Sequence, residues 1–179
     1  MSEGALYRRV LGSSYPGQSP AGQRLHDAGP SRWTGRCRVE GGETGAARLL
    51  ARLFGLPAAT EDSPIVVEFA SVDGGELWLR RIGARVLRSR QYLVPGRPPH
   101  WIAERFGAFA FDLELRAANN RLDLFLRGMR CAGVALPRAL WPRIDAAESE
   151  EDGRFCFDVQ IGLPLVGRLV RYRGWLTDR

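Results

Sequence analysis

Arginine interleaved with aromatic rings is the pattern in this sequence with the most chemical content. Trp78 precedes Arg80, Arg88 and Arg90 precede Tyr92, and Arg171 and Arg173 precede Trp175, always at alternate positions. Residues two apart on a strand share a face, so each set would place a guanidinium beside a ring. A guanidinium offers a planar fork of donors that pairs bidentately with a carboxylate or phosphate. Trp78, Arg80, Arg90, Tyr92, Arg171, Arg173 and Trp175 are therefore the candidate ligand-binding residues. If their strands neighbour each other they would line one surface. The competing reading is a solvated outer face on which arginine stems cover the rings.

The other reactive types are sparse. Glu76, Glu104 and Asp158 lie in or beside strand-like segments. A structural ion pair with arginine is the expected role for each, since only a carboxylate closed inside a pocket gains the raised pKa of a general acid or base. Asp158 is expected on the solvent side or bonded across to a neighbouring strand. His26 and His100 fall near loops, with nothing in the sequence to set a nucleophile beside them. Cys37, Cys131 and Cys156 are odd in number and widely spaced, which indicates neither a disulfide framework nor a zinc site. The chain has no GxSxG elbow, Walker loop, HExxH or GxGxxG turn. No catalytic residue, metal or cofactor is assigned, and the balance leans away from an enzyme.

The charge is less informative than its size suggests. The net charge is +6, but all 26 basic residues are Arg and none is Lys. GC-rich coding would write arginine wherever a solvated cation suffices, so a nucleic-acid partner is not expected. With 45% hydrophobic and 26% charged residues, the composition is that of an ordinary globular chain. No apolar run approaches the roughly 18–20 residues of a membrane helix, and the start lacks the order of a signal peptide. The expected address is cytoplasmic.

The elements that must position these residues can be read from periodicity. Residues 3–12 have helical spacing, residues 13–22 read as loop, and a short helical turn over 21–27 carries His26 up to Gly29 and Pro30. A strand is expected over 33–40. Residues 44–54 form the strongest amphipathic helix, with Ala46, Leu49, Leu50 and Leu53 on one stripe and Arg48 and Arg52 beside it. That stripe is expected to cover a sheet face, and a membrane surface is the less favoured partner. From Pro64 the period becomes two, with hairpins over 64–82, 109–126 and 144–161, a strand over 85–93 entered through Gly83 and Ala84, and a last strand over 165–176. Residues 134–142, bracketed by prolines, suit a loop with one helical turn.

The expected fold is α+β: a mainly antiparallel meandering sheet of about 8–10 strands, curled or barrel-like, with short N-terminal helices packed on it. One domain is expected over 1–179, with a helical segment at 3–27 and a sheet-dominated body at 33–176.

The stretch GRFCFDVQIGLPLVGRLVRYRGWL, residues 153–176, resembles the closing signature of the bacterial domain-of-unknown-function family 4166. ALYRRVLG near the start, ARLLARLFGLP at 47–57, GELWLRRIG from Gly75, ERFGAFAFDLEL from Glu104 and ALPRALWP from Ala135 resemble it too. The resemblance implies no activity and no catalytic residue. It implies a domain that also occurs fused to a saccharopine-dehydrogenase-like one, hence an oxidoreductase-like protein partner as one candidate.

Together these readings favour a binding module that holds a small amphiphilic or anionic ligand in a curled-sheet pocket. The alternatives are an accessory domain for a dehydrogenase-like partner and a small enzyme of unknown class.

Overall fold

The computed structural model describes residues 5–178. Two short helices, α1 (Leu6–Leu11) and α2 (Pro20–Asp27), flank a 3-10 helix at Gly12–Gly17. Strand β1 (Ser31–Gly41) follows, then helix α3 (Gly45–Leu53). Next come β2 (Thr60–Val72), β3 (Gly75–Ile82), β4 (Arg85–Tyr92), β5 (Trp101–Phe106), β6 (Phe109–Ala118) and β7 (Arg121–Cys131). The chain ends with the two-residue β8 (Val134–Ala135), a 3-10 turn at Arg138–Leu140, β9 (Arg143–Glu151), β10 (Arg154–Leu163) and β11 (Gly167–Asp178).

Every strand pairing is antiparallel, and β1 through β7 are neighbours in chain order. β7 also pairs with β9, β9 with β10, β10 with β11, and β11 with β1. The result is a closed up-and-down barrel of ten strands, with β8 added to the flank of β7. Closure removes the edge strands that an open sheet of this length would leave unpaired.

Curvature is concentrated where glycine lets backbones meet. A Cβ on Gly35 would lie 1.8 Å from the Trp175 carbonyl oxygen, and one on Gly174 would lie 2.1 Å from that of Arg36. Both glycines sit in the β1–β11 ladder, where the sheet bends too tightly for any side chain on that side.

The two ends of the barrel differ. At one end α1, α2 and the 3-10 helix form a floor. Ser19 caps α2 by accepting from the Gly22 amide, Pro20 occupies its first turn, and Glu150 of β9 accepts from the Ala21 amide at 2.6 Å. Tyr7, Leu11, Leu25, Trp33, Phe69, Trp78 and Phe155 pack above these helices in one cluster. The hairpins at this end turn through Asp73-Gly74, Asn119-Asn120 and Asp152-Gly153. Asn119, Asn120, Asp152, Gly74 and Gly153 all take positive φ, as tight hairpins require. The opposite end, the mouth, carries α3 and the hairpins at 83–84, 107–108, 132–133 and 164–166.

Three expectations from the sequence need correction. Residues 13–22 are not a loop, because the 3-10 helix occupies 13–17 and α2 begins at Pro20. β5 is not legible in the sequence: its central residues Ile102, Ala103 and Glu104 are all buried, so it shows no alternation, and a proline-rich segment precedes it. Finally, the leucine stripe of α3 does not cover the sheet. α3 packs through Ala47 and Ala51 on Leu169 with Leu50 half-buried, which leaves Leu49 and Leu53 59% and 71% exposed. Small side chains allow this close approach: a Cβ on Gly42 would lie only 2.6 Å from that of Ala47. Residues 3 and 4 of the expected first helix lie outside the described residues. No helix among the described residues is long and apolar enough to cross a membrane.

We predict that Gly35→Ala destabilises the barrel by more than about 2 kcal/mol, because backbone must shift to admit the methyl. Gly45→Ala, at the start of α3 with open space around it, should gain up to about 1 kcal/mol. Urea unfolding of the two variants checks both signs.

Candidate functional site

A ten-strand barrel encloses more volume than its inward side chains fill, since eight strands already give a packed interior. The interior holds a cavity of about 540 Å3. Phe157, Val159 and Ile161 of β10, Ile144 and Ala146 of β9, Leu124 and Met129 of β7, Phe109, Phe111 and Leu113 of β6, and Ile65 and Val67 of β2 make its apolar wall. Tyr7 and Leu25 close it at the floor. Phe54 and Leu140, which line it while remaining 50% and 59% exposed, mark the mouth. Phe54, at the end of α3, reaches Phe109 on the far wall, with ring centroids 6.3 Å apart.

Polar groups converge on one side of the cavity, carried by inward positions of β3, β4, β5 and β11. Arg80 donates to the Ser89 hydroxyl at 2.9 Å and to Glu104 at 3.1 Å, and Ser89 donates to the same Glu104 oxygen at 2.6 Å. The Arg80 guanidinium lies over the Trp78 ring, 4.6 Å from its centroid. Beside this group, Tyr7 donates to the Gln91 side-chain oxygen at 3.0 Å. The Tyr172 hydroxyl also lines the cavity, and within the described residues it makes no hydrogen bond.

Burial opposes the Arg80 charge, but Glu104, Tyr172 and Tyr7 more than offset it, so its pKa is raised. Burial holds Tyr7 well above the ordinary phenol value, reinforced by Glu148 and Glu104. Burial likewise raises Tyr172, although Arg80 pulls the other way. Both tyrosines therefore stay neutral hydroxyls. The charged side chains lining the cavity are Arg80, Glu104 and Glu148. One cation against two carboxylates leaves no surplus positive charge for an anion.

Of the candidate residues read from the sequence, Trp78 and Arg80 face this cavity. The other five do not join them. Arg90 is exposed and donates to the Asp73 carbonyl, with its guanidinium 5.8 Å from the centroid of the Tyr92 ring. Arg171 pairs with Asp158 through two hydrogen bonds of 2.9 and 2.6 Å, the cross-strand bond expected of Asp158. Arg173 is exposed with Glu40 3.7 Å away, and Trp175 carries Arg154 over its ring instead of Arg173. The spacing predicts shared faces correctly within each strand. Strand phase decides which face is inward, and β3 differs from β4 and β11: Trp78 pairs with Ser89, and Val170 and Tyr172 take the inward positions of β11.

Sequence reasoning passed over Tyr7, Ser89, Gln91, Glu148 and Tyr172. The alternation of β4 placed Ser89 and Gln91 opposite the arginines and so held a signal, whereas Tyr7 reaches the barrel only through helix packing. His26 is buried behind the cavity wall, stacked on Tyr7 with centroids 3.6 Å apart and bonded to Glu148 at 2.8 Å. It joins the floor to β9 and does not line the cavity. His100 is half-buried in the loop before β5 and takes a φ of 66°. Among the described residues no His, Cys, Asp and Glu side chains gather as a metal site.

The family model described as Domain of unknown function (DUF4166) matches residues 19–176, and the chain belongs to that family. Among solved structures, the chain is similar to the crystal structure of Rv2717c from M. tuberculosis. The TM-score is 0.49, with 13% identity over 90% of this chain and 99% of that one. No curated protein matches the sequence.

Two predictions follow from the buried polar cluster. Arg80→Met should cost about 3 kcal/mol by stranding Glu104 in the interior, and the Arg80→Met/Glu104→Leu pair should recover most of it, both read by denaturant unfolding. Because Tyr7 keeps its proton in the folded protein while the unfolded chain loses it above about pH 10, stability should fall as pH rises beyond that value. Tyr7→Phe should flatten that fall.

Proposed function

We propose that this chain, as a member of a family whose description assigns no function, binds a small, largely apolar molecule with an uncharged hydrogen-bonding end. The observation that carries this reading is the enclosed cavity, whose apolar wall meets one cluster of polar groups on a rigid sheet. Its volume lies within the roughly 300–1,000 Å3 of small-molecule sites. The apolar body of the ligand lies along β9 and β10, and its polar end meets Arg80, Gln91 and Tyr172.

Charge selects the kind of end. An anion would have to draw Arg80 away from Glu104, and it would meet Glu148 as well. A hydroxyl, ketone or amide accepts from the Tyr172 hydroxyl without disturbing that pair, so an uncharged end is favoured over an anionic one. Tyr172 then gains a hydrogen-bond partner, which it does not have within the described residues.

Native mass spectrometry with 1-dodecanol and with dodecanoate tests this. We expect one equivalent of the alcohol to bind, at least as tightly as the acid at neutral pH. Ala146→Trp, which places an indole in the cavity, should weaken binding by at least about tenfold, or about 1.4 kcal/mol. No uptake of either probe would remove the reading and move support to the accessory-domain alternative. Tighter binding of the acid would restore the anionic ligand.

A further inference from the structure

We propose that the mouth of the barrel is a docking surface for an anionic lipid bilayer. Docking through the surface around the mouth does not depend on which molecule the cavity holds.

Six of the nine exposed large apolar side chains of the described residues gather at one end: Leu49, Leu53, Phe54, Val134, Leu140 and Leu165 lie at the mouth, on α3, the β7–β8 hairpin, the 3-10 turn and the β10–β11 hairpin, while Leu77, Val86 and Phe125 lie on strands of the barrel wall. The six at the mouth form one rim, because α3 packs on Leu163, Val166 and Leu169 around the β10–β11 hairpin, and Phe54 and Leu140 both line the opening. An apolar rim of this kind marks an interaction surface, whereas single exposed leucines need no explanation.

Turn chemistry separates the two ends in the same sense. The floor hairpins use Asp-Gly, Asn-Asn and Asp-Gly, whose Asp and Asn side chains are exposed. The mouth hairpins use Gly83-Ala84, Gly107-Ala108, Ala132-Gly133 and Pro164-Leu165-Val166, which carry no polar side chain. Leu165 projects fully into solvent at the tip of its hairpin and holds a φ of 64°, a conformation that disfavours leucine. Folding alone would place glycine or asparagine there.

Charge names the partner. Arg48, Arg52, Arg85, Arg138 and Arg143 surround the mouth and are exposed. Among the described residues no carboxylate lies within ion-pair distance of any of them. Most of the acids at this end are already engaged, Glu40 and Glu43 with Arg168, Glu61 with Arg38, and Asp62 with Arg36, while Asp145 on β9 makes no ion pair among the described residues. Leucines that insert and arginines without a carboxylate partner that meet phosphate are the two components of an interfacial helix on an anionic membrane, although Arg48 also donates to the Gly42 and Glu43 carbonyls. α3 presents both, with Leu49 and Leu53 one turn apart and Arg48 and Arg52 beside them. This orientation would set the cavity opening against the lipid, so an apolar ligand could pass between bilayer and barrel without crossing water.

Co-sedimentation with vesicles of phosphatidylcholine alone, and of phosphatidylcholine mixed with phosphatidylglycerol, tests the proposal. The chain should partition onto the mixed vesicles and weaken by at least about fivefold on neutral ones or in high salt. Leu49→Gln/Leu53→Gln/Leu165→Ser should lose at least about tenfold in partitioning while keeping its thermal midpoint, since all three side chains are exposed. Arg48→Gln/Arg52→Gln should lose most of the preference for phosphatidylglycerol. Leu77→Gln, an exposed leucine on the barrel wall, serves as the control and should bind unchanged. Ala146→Trp should still dock, so a failure of the cavity reading would be seen separately. Absence of binding to both vesicles, or triple-variant binding equal to the parent, would overturn the proposal. So would a dimer in sedimentation velocity that the triple variant dissociates, since a second copy of the chain would then cover the rim.

Discussion

The pairing of β7 with both β6 and β9 governs the rest of the molecule. Without it the strands would form an open sheet with two edges. With it the sheet becomes a ring whose circumference is set by ten strands. Every strand then has one face turned to a common interior, and a ring of this size is too wide for its own side chains to fill. The floor helices take up part of that space through Tyr7, Leu11 and Leu25, and the remainder is the cavity. Cavity, polar cluster and mouth are consequences of closure.

Polar groups inside such a ring must satisfy one another, because the interior supplies little water to do so. Arg80, Ser89 and Glu104 do this as a triangle drawn from three adjacent strands, and Glu148 and Glu150 do it by receiving His26 and the Ala21 amide of α2. The helices are thus fastened to β9 by the same kind of bond that neutralises the cavity. Among the polar groups that line the cavity, the Tyr172 hydroxyl alone makes no hydrogen bond within the described residues. This is why the proposed ligand is apolar with one uncharged polar end, and why an abundance of arginine in the sequence is a poor guide to its charge. Many of those arginines, Arg36, Arg38, Arg116 and Arg171 among them, are paired with Asp and Glu of the same or adjacent strands.

Local rules made much of the fold legible. Alternation marks β2, β3, β6, β10 and β11 because each has one buried face, and Asp-Gly and Asn-Asn mark the floor turns because those conformations demand such residues. β5 stayed hidden since Ile102, Ala103 and Glu104 are all buried, so both faces of the strand are covered and no alternation shows. Of the site, Trp78 and Arg80 were legible as a pair on one face. Whether that face was the inner one depended on strand phase around the closed ring, a nonlocal property. The orientation of α3 was misread for a related reason: helical periodicity identifies the apolar stripe, but the close contact of Ala47 and Ala51 with the β10–β11 hairpin determines where the stripe points.

The central claim is that an apolar ligand enters the barrel and places its polar end beside Trp78 and Tyr172. Isotope-filtered NOE spectroscopy on methyl- and aromatic-labelled protein with unlabelled 1-dodecanol addresses it directly. The account predicts contacts from the alkyl chain to the methyls of Val159, Ile161 and Met129, and from the carbon bearing the hydroxyl to the rings of Trp78 and Tyr172. Contacts confined to Leu49, Leu53 and Leu165 would contradict it, because the alcohol would then be held on the rim with the interior left empty.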